Sequence, residues 1–343
     1  MLVTRSALTF DHGRAIIARA EAQAVEIVLL NGDRLALDLP DDPRRAYAAA
    51  KSTVALVVAP PSKRRLQPIA PSADWRVDLA EGCPAHCSYC YLAGSLKGPP
   101  ITRVYANLDE ILDGLPAYVG QGSVTSRSRD RAHEGTTFEA SCYTDPLALE
   151  PLTGSLSTAI GRFGDWDAPV QLRFTTKFAD VGPLLGLDHR RRTRMRASIN
   201  PTTFARFEGG TAPVAARLKA LSDMARAGYP IGLTIAPIIA AAGWREAYEA
   251  LLVDVAAALT GVADLDLTIE LITHRFTPGS KAVLESWYPG SALDMGMDGR
   301  TTKRTKFGSE KLVYDTPTMR SLRAFFEERL AALLPSAWIL YWT

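Results

Sequence analysis

Short apolar runs alternate with helically spaced stretches from residue 75 onward, and this alternation limits the fold more than any other feature of the chain. Six runs are expected to be strands: Trp75 to Leu79, Thr136 to Ser141, Val170 to Thr176, Arg194 to Ile199, Ile231 to Pro237 and Leu267 to Ile272. Between them, Leu108 to Tyr118, Leu152 to Phe163, Val181 to Leu187, Val214 to Ala227 and Gly243 to Leu259 have helical spacing. A strand, helix, strand succession calls for a parallel sheet joined by crossovers, which is an α/β architecture. No glycine-rich dinucleotide fingerprint is present, so an incomplete (β/α)6 TIM-type barrel is expected and not a doubly wound sheet. Barrels of this kind place their chemistry at the C-terminal strand ends.

The flanks read differently. Before the first run come a strand-like Val25 to Leu30, the turn Asn31-Gly32-Asp33, an alternating Arg34 to Leu39 and a helical Pro43 to Ala50. Together they suggest a small N-terminal α/β layer. Pro60, Pro61, Pro68 and Pro71 punctuate a connector, which sets the expected boundaries at 1–70 for the N-terminal region and linker, 71–275 for the barrel and 276–343 for a C-terminal extension. That extension holds a basic stretch from Gly296 to Lys311, a helix Pro317 to Leu334 and a strand Trp338 to Trp342.

A chain of 343 residues that is 47% hydrophobic can build a sizeable core without disulfides, so its four cysteines need another explanation. Its 39 Lys and Arg nearly balance 37 Asp and Glu, which excludes a global field for gripping polyanions and leaves only local basic patches. No apolar run is long enough to span a bilayer, and residues 1–20 lack the order of a secretory signal. The expectation is a cytoplasmic protein without membrane contact.

Cys83, Cys87 and Cys90 lie in GCPAHCSYCYL, directly after the first expected barrel strand. Three thiolates from one short loop can bind three irons of a 4Fe-4S cluster and leave the fourth iron open, whereas electron-transfer clusters normally have every iron capped. The C-x3-C-x2-C spacing, with aromatic Tyr89 before the third cysteine, is the signature of the radical S-adenosylmethionine superfamily. A zinc knuckle completed by His86 or Cys142 is the rival, although structural zinc sites usually combine two paired ligand sets and only one is found here. Cys142 stands just past the second strand, either at the reaction mouth or as a small buried residue.

Beyond that loop, several segments in order resemble the spore photoproduct lyase family. They are AKST at Ala50 to Thr53, the cysteine loop, FEASC, LRFTTKF, RASIN, AGYPIGLTIAPI and ELITHRFT, followed by the terminal helix and strand. The resemblance implies a radical S-adenosylmethionine core that reverses the methylene-bridged thymine dimer in DNA, with a 4Fe-4S cluster and S-adenosylmethionine as cofactors. Carried over by position, Cys83, Cys87 and Cys90 are the cluster ligands and Cys142 is the hydrogen donor to the opened lesion. Tyr89 and Tyr91 match the tyrosines between that cysteine and the cofactor. Lys177, Ser198 and Asn200, with Tyr89, fall where the family binds S-adenosylmethionine. Lys303, Arg304, Lys306 and Lys311 fall where a hairpin approaches the lesion strand. A flavodoxin or ferredoxin type electron donor and a monomeric state complete the expectation.

The chain departs from the family pattern at Gln121 to Gly135, which is long, and at Tyr143 and Thr144, where smaller polar residues are usual. Its first 45 residues match nothing recognisable. A relative acting on another lesion or modified base, and a non-catalytic iron-sulfur or zinc nucleic-acid-binding protein, are the alternatives. His86 reads as a solvent-facing loop residue, and His274 with Arg275 as either a cofactor or phosphate contact or part of a barrel ion pair. Arg190, Arg191, Arg192, Arg194 and Arg196 form the densest positive run, a solvated face or a phosphate contact.

Overall fold

A computed structural model describes residues 1–94, 98–304 and 310–343, except for the side chain of Tyr91. Its main sheet has eight strands: β1 Gln67–Ile69, β2 Ala73–Val77, β3 Thr136–Ala140, β4 Val170–Thr176, β5 Thr193–Ile199, β6 Ile231–Ile238, β7 Leu267–Thr273 and β8 Trp338–Trp342. Each lies beside its neighbour in the chain, so the spatial order is the sequence order. β1 runs antiparallel to β2, while β2–β3, β3–β4, β6–β7 and β7–β8 are parallel. The order is open at β1 and β8, which makes the sheet a partial barrel.

Alternation along the strands explains the two faces of this sheet. On β4, Leu172 and Phe174 are fully buried on one side and Gln171, Arg173 and Thr175 point to the other. On β5, Met195, Ala197 and Ile199 alternate with Arg194, Arg196 and Ser198. The apolar face packs under helices, as where Phe138 meets Phe163 edge-on with centroids 5.6 Å apart. The other face carries polar side chains, and these bond to one another.

By internal contacts the chain forms two compact units, one of Met1–Pro84, Pro99–Arg196 and Ala227–Pro230, the other of Ala85–Gly98, Ala197–Arg226 and Ile231–Thr343. The first also holds a five-stranded sheet that orders Val28–Leu29, Leu2–Val3, Val54–Val57, Thr102–Tyr105 and Ala80–Glu81. It therefore takes strands from both sides of residue 70. The second holds the hairpin of Arg300–Arg304 and Glu310–Tyr314 and the helix Thr316–Leu333.

Several sequence expectations are corrected. The helix expected over Leu152 to Phe163 is two, Pro146–Thr153 and Ser155–Asp165, because Gly154 turns left-handed at φ 62° and the Glu150 carboxylate accepts the backbone N–H groups of Leu156 and Ser157. Leu108 to Tyr118 breaks into Leu108–Leu112 and a 3-10 turn Leu115–Tyr118 that contains Pro116. Val181 to Leu187 is reduced to the single turn Gly182–Leu184. Arg34 to Leu39 pairs with no strand, yet its alternation is real: Leu35, Leu37 and Leu39 pack on Ala50, Ala55 and Ile101. Helices Asp11–Ala22 and Pro278–Trp287 are additions to the expected set. The second starts at a Thr277 and Ser280 capping box, which lacks the usual Glu or Gln signal.

The long Gln121 to Gly135 segment folds around one carboxylate. Asp74 accepts the backbone N–H groups of Val124, Thr125 and Ser126 and the hydroxyls of Thr125 and Ser126. Burial alone would raise its pKa, but these donors outweigh it and hold the carboxyl at about 2. A Cβ on Gly122 would sit 2.1 Å from Asp74 Cγ, so only glycine fits there.

Candidate active site

The cysteine loop leaves β2 through a turn that glycine makes possible. Gly82 has φ 81°, and a Cβ there would lie 2.1 Å from the Ile101 carbonyl oxygen. Cys83 follows, and its carbonyl accepts a hydrogen bond from Lys51 Nζ, at the end of helix Pro43–Lys51. This gives AKST a local role that sequence reading did not find. Cys87 and Cys90 belong to the second unit. There His86–Cys87 pairs antiparallel with Glu208–Gly209, Ser88 donates its N–H to the Phe207 carbonyl at 2.9 Å, and Cys90 donates to Cys87 at 3.1 Å. The cysteines form no disulfide among the described residues, Cys87 is buried and Cys83 and Cys90 are half-buried, and His86 is exposed. Three thiols from one backbone-pinned loop suit a cluster with one open iron.

Tyr89 is half-buried in the same unit. Its phenol donates to the Glu208 carboxylate, which also accepts from Asn200 Nδ2 at 3.1 Å and pairs with Arg217 at 2.5 Å. Asn200 Oδ1 in turn accepts from Tyr248 Oη at 3.1 Å. Burial, then the Glu208 charge, pushes the Tyr89 phenol well above its ordinary range. Asn200 is thus brought together with Tyr89 by Glu208, a residue with no motif of its own. Ser198 is buried on β5, and its carbonyl accepts from Arg217 at 3.0 Å.

Cys142 belongs to the first unit. Ser141, just before it, is left-handed at φ 55°, an uncommon conformation for a residue with a Cβ. The turn is held by Ser141 N–H on the Val77 carbonyl at 2.7 Å and by Leu79 N–H on Ser141 Oγ at 3.1 Å. The Cys142 thiol faces the Glu139 carbonyl at 4.0 Å. Burial, then the charges of Glu139 and Asp78, raises its pKa well above the ordinary thiol value, so the sulfur keeps its proton. Beside it Arg76 stacks over the Tyr143 ring at 4.3 Å and pairs with Asp78 at 3.0 Å. Tyr143, one of the departures from the family pattern, is thereby tied to β2.

In that unit the Lys177 backbone N–H donates to Asp145 Oδ2 at 2.7 Å, and Asp145 caps helix Pro146–Thr153. The strand-end position of Lys177 is accordingly fixed by a buried carboxylate. Tyr91 begins the 3-10 turn Tyr91–Gly94, and its side chain is outside the described part.

The basic groups sort into two sets. Arg194 and Arg196 are buried on β5, Arg194 on Gln171 at 3.4 Å and Arg196 on the Glu139 carboxylate and, at 2.7 Å, Ser72 Oγ. The phosphate reading of this pair is thereby corrected, because strand alternation turns both side chains inward. Arg190 and Arg191 remain exposed. His274 is buried, and Arg300 donates to its ring Nδ1 at 2.9 Å and to its carbonyl at 2.8 Å. Burial, then the Arg300 charge, lowers its pKa to about 3, so it is neutral. On the hairpin Lys303 lies directly opposite Lys311 and Arg304 opposite Glu310; Lys303 and Arg304 are exposed. Burial, then Arg275 and Lys303, lowers the Lys311 pKa. Lys306 lies outside the described residues.

An open parallel sheet in chain order, with three cysteines in the loop after its first parallel strand, defines a radical S-adenosylmethionine enzyme. The spore photoproduct lyase family model matches residues 1–343. Over 339 residues the chain is 36% identical to the spore photoproduct lyase of Bacillus subtilis, covering 98% of this chain and 96% of that one. It is 37% identical to the enzyme of a Geobacillus species over the same length and shares. A solved spore photoproduct lyase complexed with dinucleoside spore photoproduct superposes with a TM-score of 0.91 at 34% identity, covering 100% of this chain and 98% of that chain. A double mutant with bound AdoMet and the same dinucleoside gives 0.90 at 33% identity, with the same coverage. The chain belongs to the spore photoproduct lyase family. Among the described residues no helix is long and apolar enough to cross a membrane.

Proposed function

We propose that this chain reverses the methylene-bridged thymine dimer in DNA to two thymines, and that Cys142 returns the hydrogen atom that completes repair. The observation that carries the reading is the protonated, half-buried Cys142 thiol, set by a left-handed turn at the C-terminal end of β3. Cys83, Cys87 and Cys90 would hold a 4Fe-4S cluster, and Lys177, Ser198, Asn200 and Tyr89 would surround S-adenosylmethionine. When bound, that pair supplies the carbon radical that can break a carbon–carbon bond no acid or base attacks at neutral pH. Loss of the hydrogen atom on ring carbon C6 of the lesion to that radical would open the bridge and leave a methylene radical on one thymine. Cys142 then gives its S–H hydrogen atom to that carbon, forming the methyl group and leaving a thiyl radical on sulfur. Tyr91 and Tyr89 would relay back to that sulfur the hydrogen atom taken from C6, so that the two thymines together neither gain nor lose hydrogen.

Lys303, Arg304, Lys306 and Lys311 take the DNA backbone. The juxtaposed Lys303 and Lys311 support this, since like charges opposite one another cost stability unless an anion neutralises them. An electron donor of flavodoxin or ferredoxin type, a monomeric state and a cytoplasmic location complete the proposal.

Anaerobic repair of the dinucleoside lesion in D2O tests it. A thiol proton exchanges with water, so the repaired thymine methyl should carry deuterium by mass spectrometry. Cys142→Ala should keep its cluster and its cleavage of S-adenosylmethionine while intact thymine yield falls. Loss of the cluster in that variant, or normal repair with no solvent deuterium, would overturn the assignment.

A further inference from the structure

One buried acid in the first unit has unused hydrogen-bonding capacity. Asp78 directly follows β2 and is 4% exposed. Its Oδ2 lies 3.0 Å from Arg76 Nε, whereas Oδ1 is buried and has no hydrogen-bond partner among the described residues. A buried carboxylate oxygen left without a donor is costly, so such an atom normally finds one in a water or a ligand. Its location points to a ligand. β2 and β3 pair in parallel with Val77 opposite Ala140, which brings Asp78 and Cys142 just past the same ends of adjacent strands. The charge of Asp78 reaches the Cys142 thiol.

A thymine ring presents one donor, the imide N3–H between two carbonyls. We propose that Asp78 is a specificity residue whose free carboxylate oxygen accepts the imide N–H of the thymine ring next to Cys142. This rests on the repair reading above and goes beyond it by naming the group that tells thymine from cytosine. Neutral cytosine has a lone pair at N3, which a carboxylate repels. Burial, first of all, raises the Asp78 pKa to about 6 against the pull of Arg76. The charged or titratable groups facing it are Arg76, Glu81, Lys63, Tyr105 and Cys142.

The test compares the dinucleoside lesion with its N3-methylated forms, using reconstituted wild type and Asp78→Ala. In wild type, methylation of one of the two rings should lower kcat/KM about tenfold, the loss expected for one buried hydrogen bond to a charged group. Asp78→Ala should be slower on the unmodified lesion by a similar factor and lose less than about twofold more on methylation. A second measurement needs only wild type: affinity for the unmodified lesion should weaken as pH falls through about 6, where Asp78 gains a proton, and affinity for the methylated lesion should not. Equal methylation penalties in both proteins, or the same pH response for both ligands, would overturn the role of Asp78 while leaving repair intact. Wild type that neither binds nor repairs the unmodified lesion would overturn the repair reading, and this inference with it.

Discussion

The polar face of the main sheet and the hairpin of Arg300–Arg304 and Glu310–Tyr314 both concentrate positive charge, and they treat it in opposite ways. On the sheet Arg173 is matched to Glu134, and Arg196 to Glu139. All four side chains are buried, so each charge is tolerated only because its counter-charge is in place. On the hairpin Lys303 faces Lys311, and Lys303 is open to water. Positive charge is therefore neutralised from within in one region and, at Lys303 and Lys311, left facing its like in the other. Local charge density does not separate the two; what stands opposite each cation does, and on the hairpin Arg304 faces Glu310 while Lys303 faces Lys311.

Breaking one member of a buried pair should give the largest effect. Glu139→Gln or Arg196→Met should cost about 3–5 kcal/mol in chemical denaturation, because the remaining charge stays buried without that counter-charge. A loss below about 1 kcal/mol would place the pair in water and remove the contrast.

Acid should sharpen it next. Asp74 has its pKa depressed to about 2 in the folded state, so the stability it contributes is present above about pH 4 and is lost as pH falls from about 4 to 2. The difference between wild type and Asp74→Asn should shrink by roughly 2 kcal/mol over that window, read from denaturant midpoints. A constant difference would mean that the neutral donors around Asp74 do not select its charged form.

The hairpin should give the smallest change in stability and the opposite sign. Lys303→Glu should stabilise the fold by about 0.2–1 kcal/mol through its pairing with Lys311. The same change should weaken binding to lesion-containing duplex DNA and reduce the log-log salt slope by about 0.9 for each phosphate no longer neutralised. An unchanged slope would leave the hairpin a solvated ornament.

Much of this is legible from periodicity. The Val170–Thr176 strand has the bounds its pattern gives because its side chains alternate between two faces, and Trp338–Trp342 has those of its apolar run. The cysteine spacing is local and can be found by counting. What cannot be found that way depends on partners distant in the chain. Glu208 acquires meaning only when Tyr89, Asn200 and Arg217 converge on it. Arg194 and Arg196 resemble a surface run until the register turns them inward. Asp78 has no motif, and its free oxygen appears only once its neighbours have been placed.

The two strands that bracket the cysteine loop, Ala80–Glu81 and Thr102–Tyr105, pair antiparallel in the small sheet, with Ala80 opposite Val104 and Glu81 opposite Arg103. The two ends of the segment that carries the three cysteines are thus held together by backbone pairing. The entropy of closing that loop is met by the sheet and not by metal binding. Small zinc domains unfold without their ion because the metal must gather its own ligands. Here the segment that carries the three cysteines is tethered at both ends by the protein's own backbone.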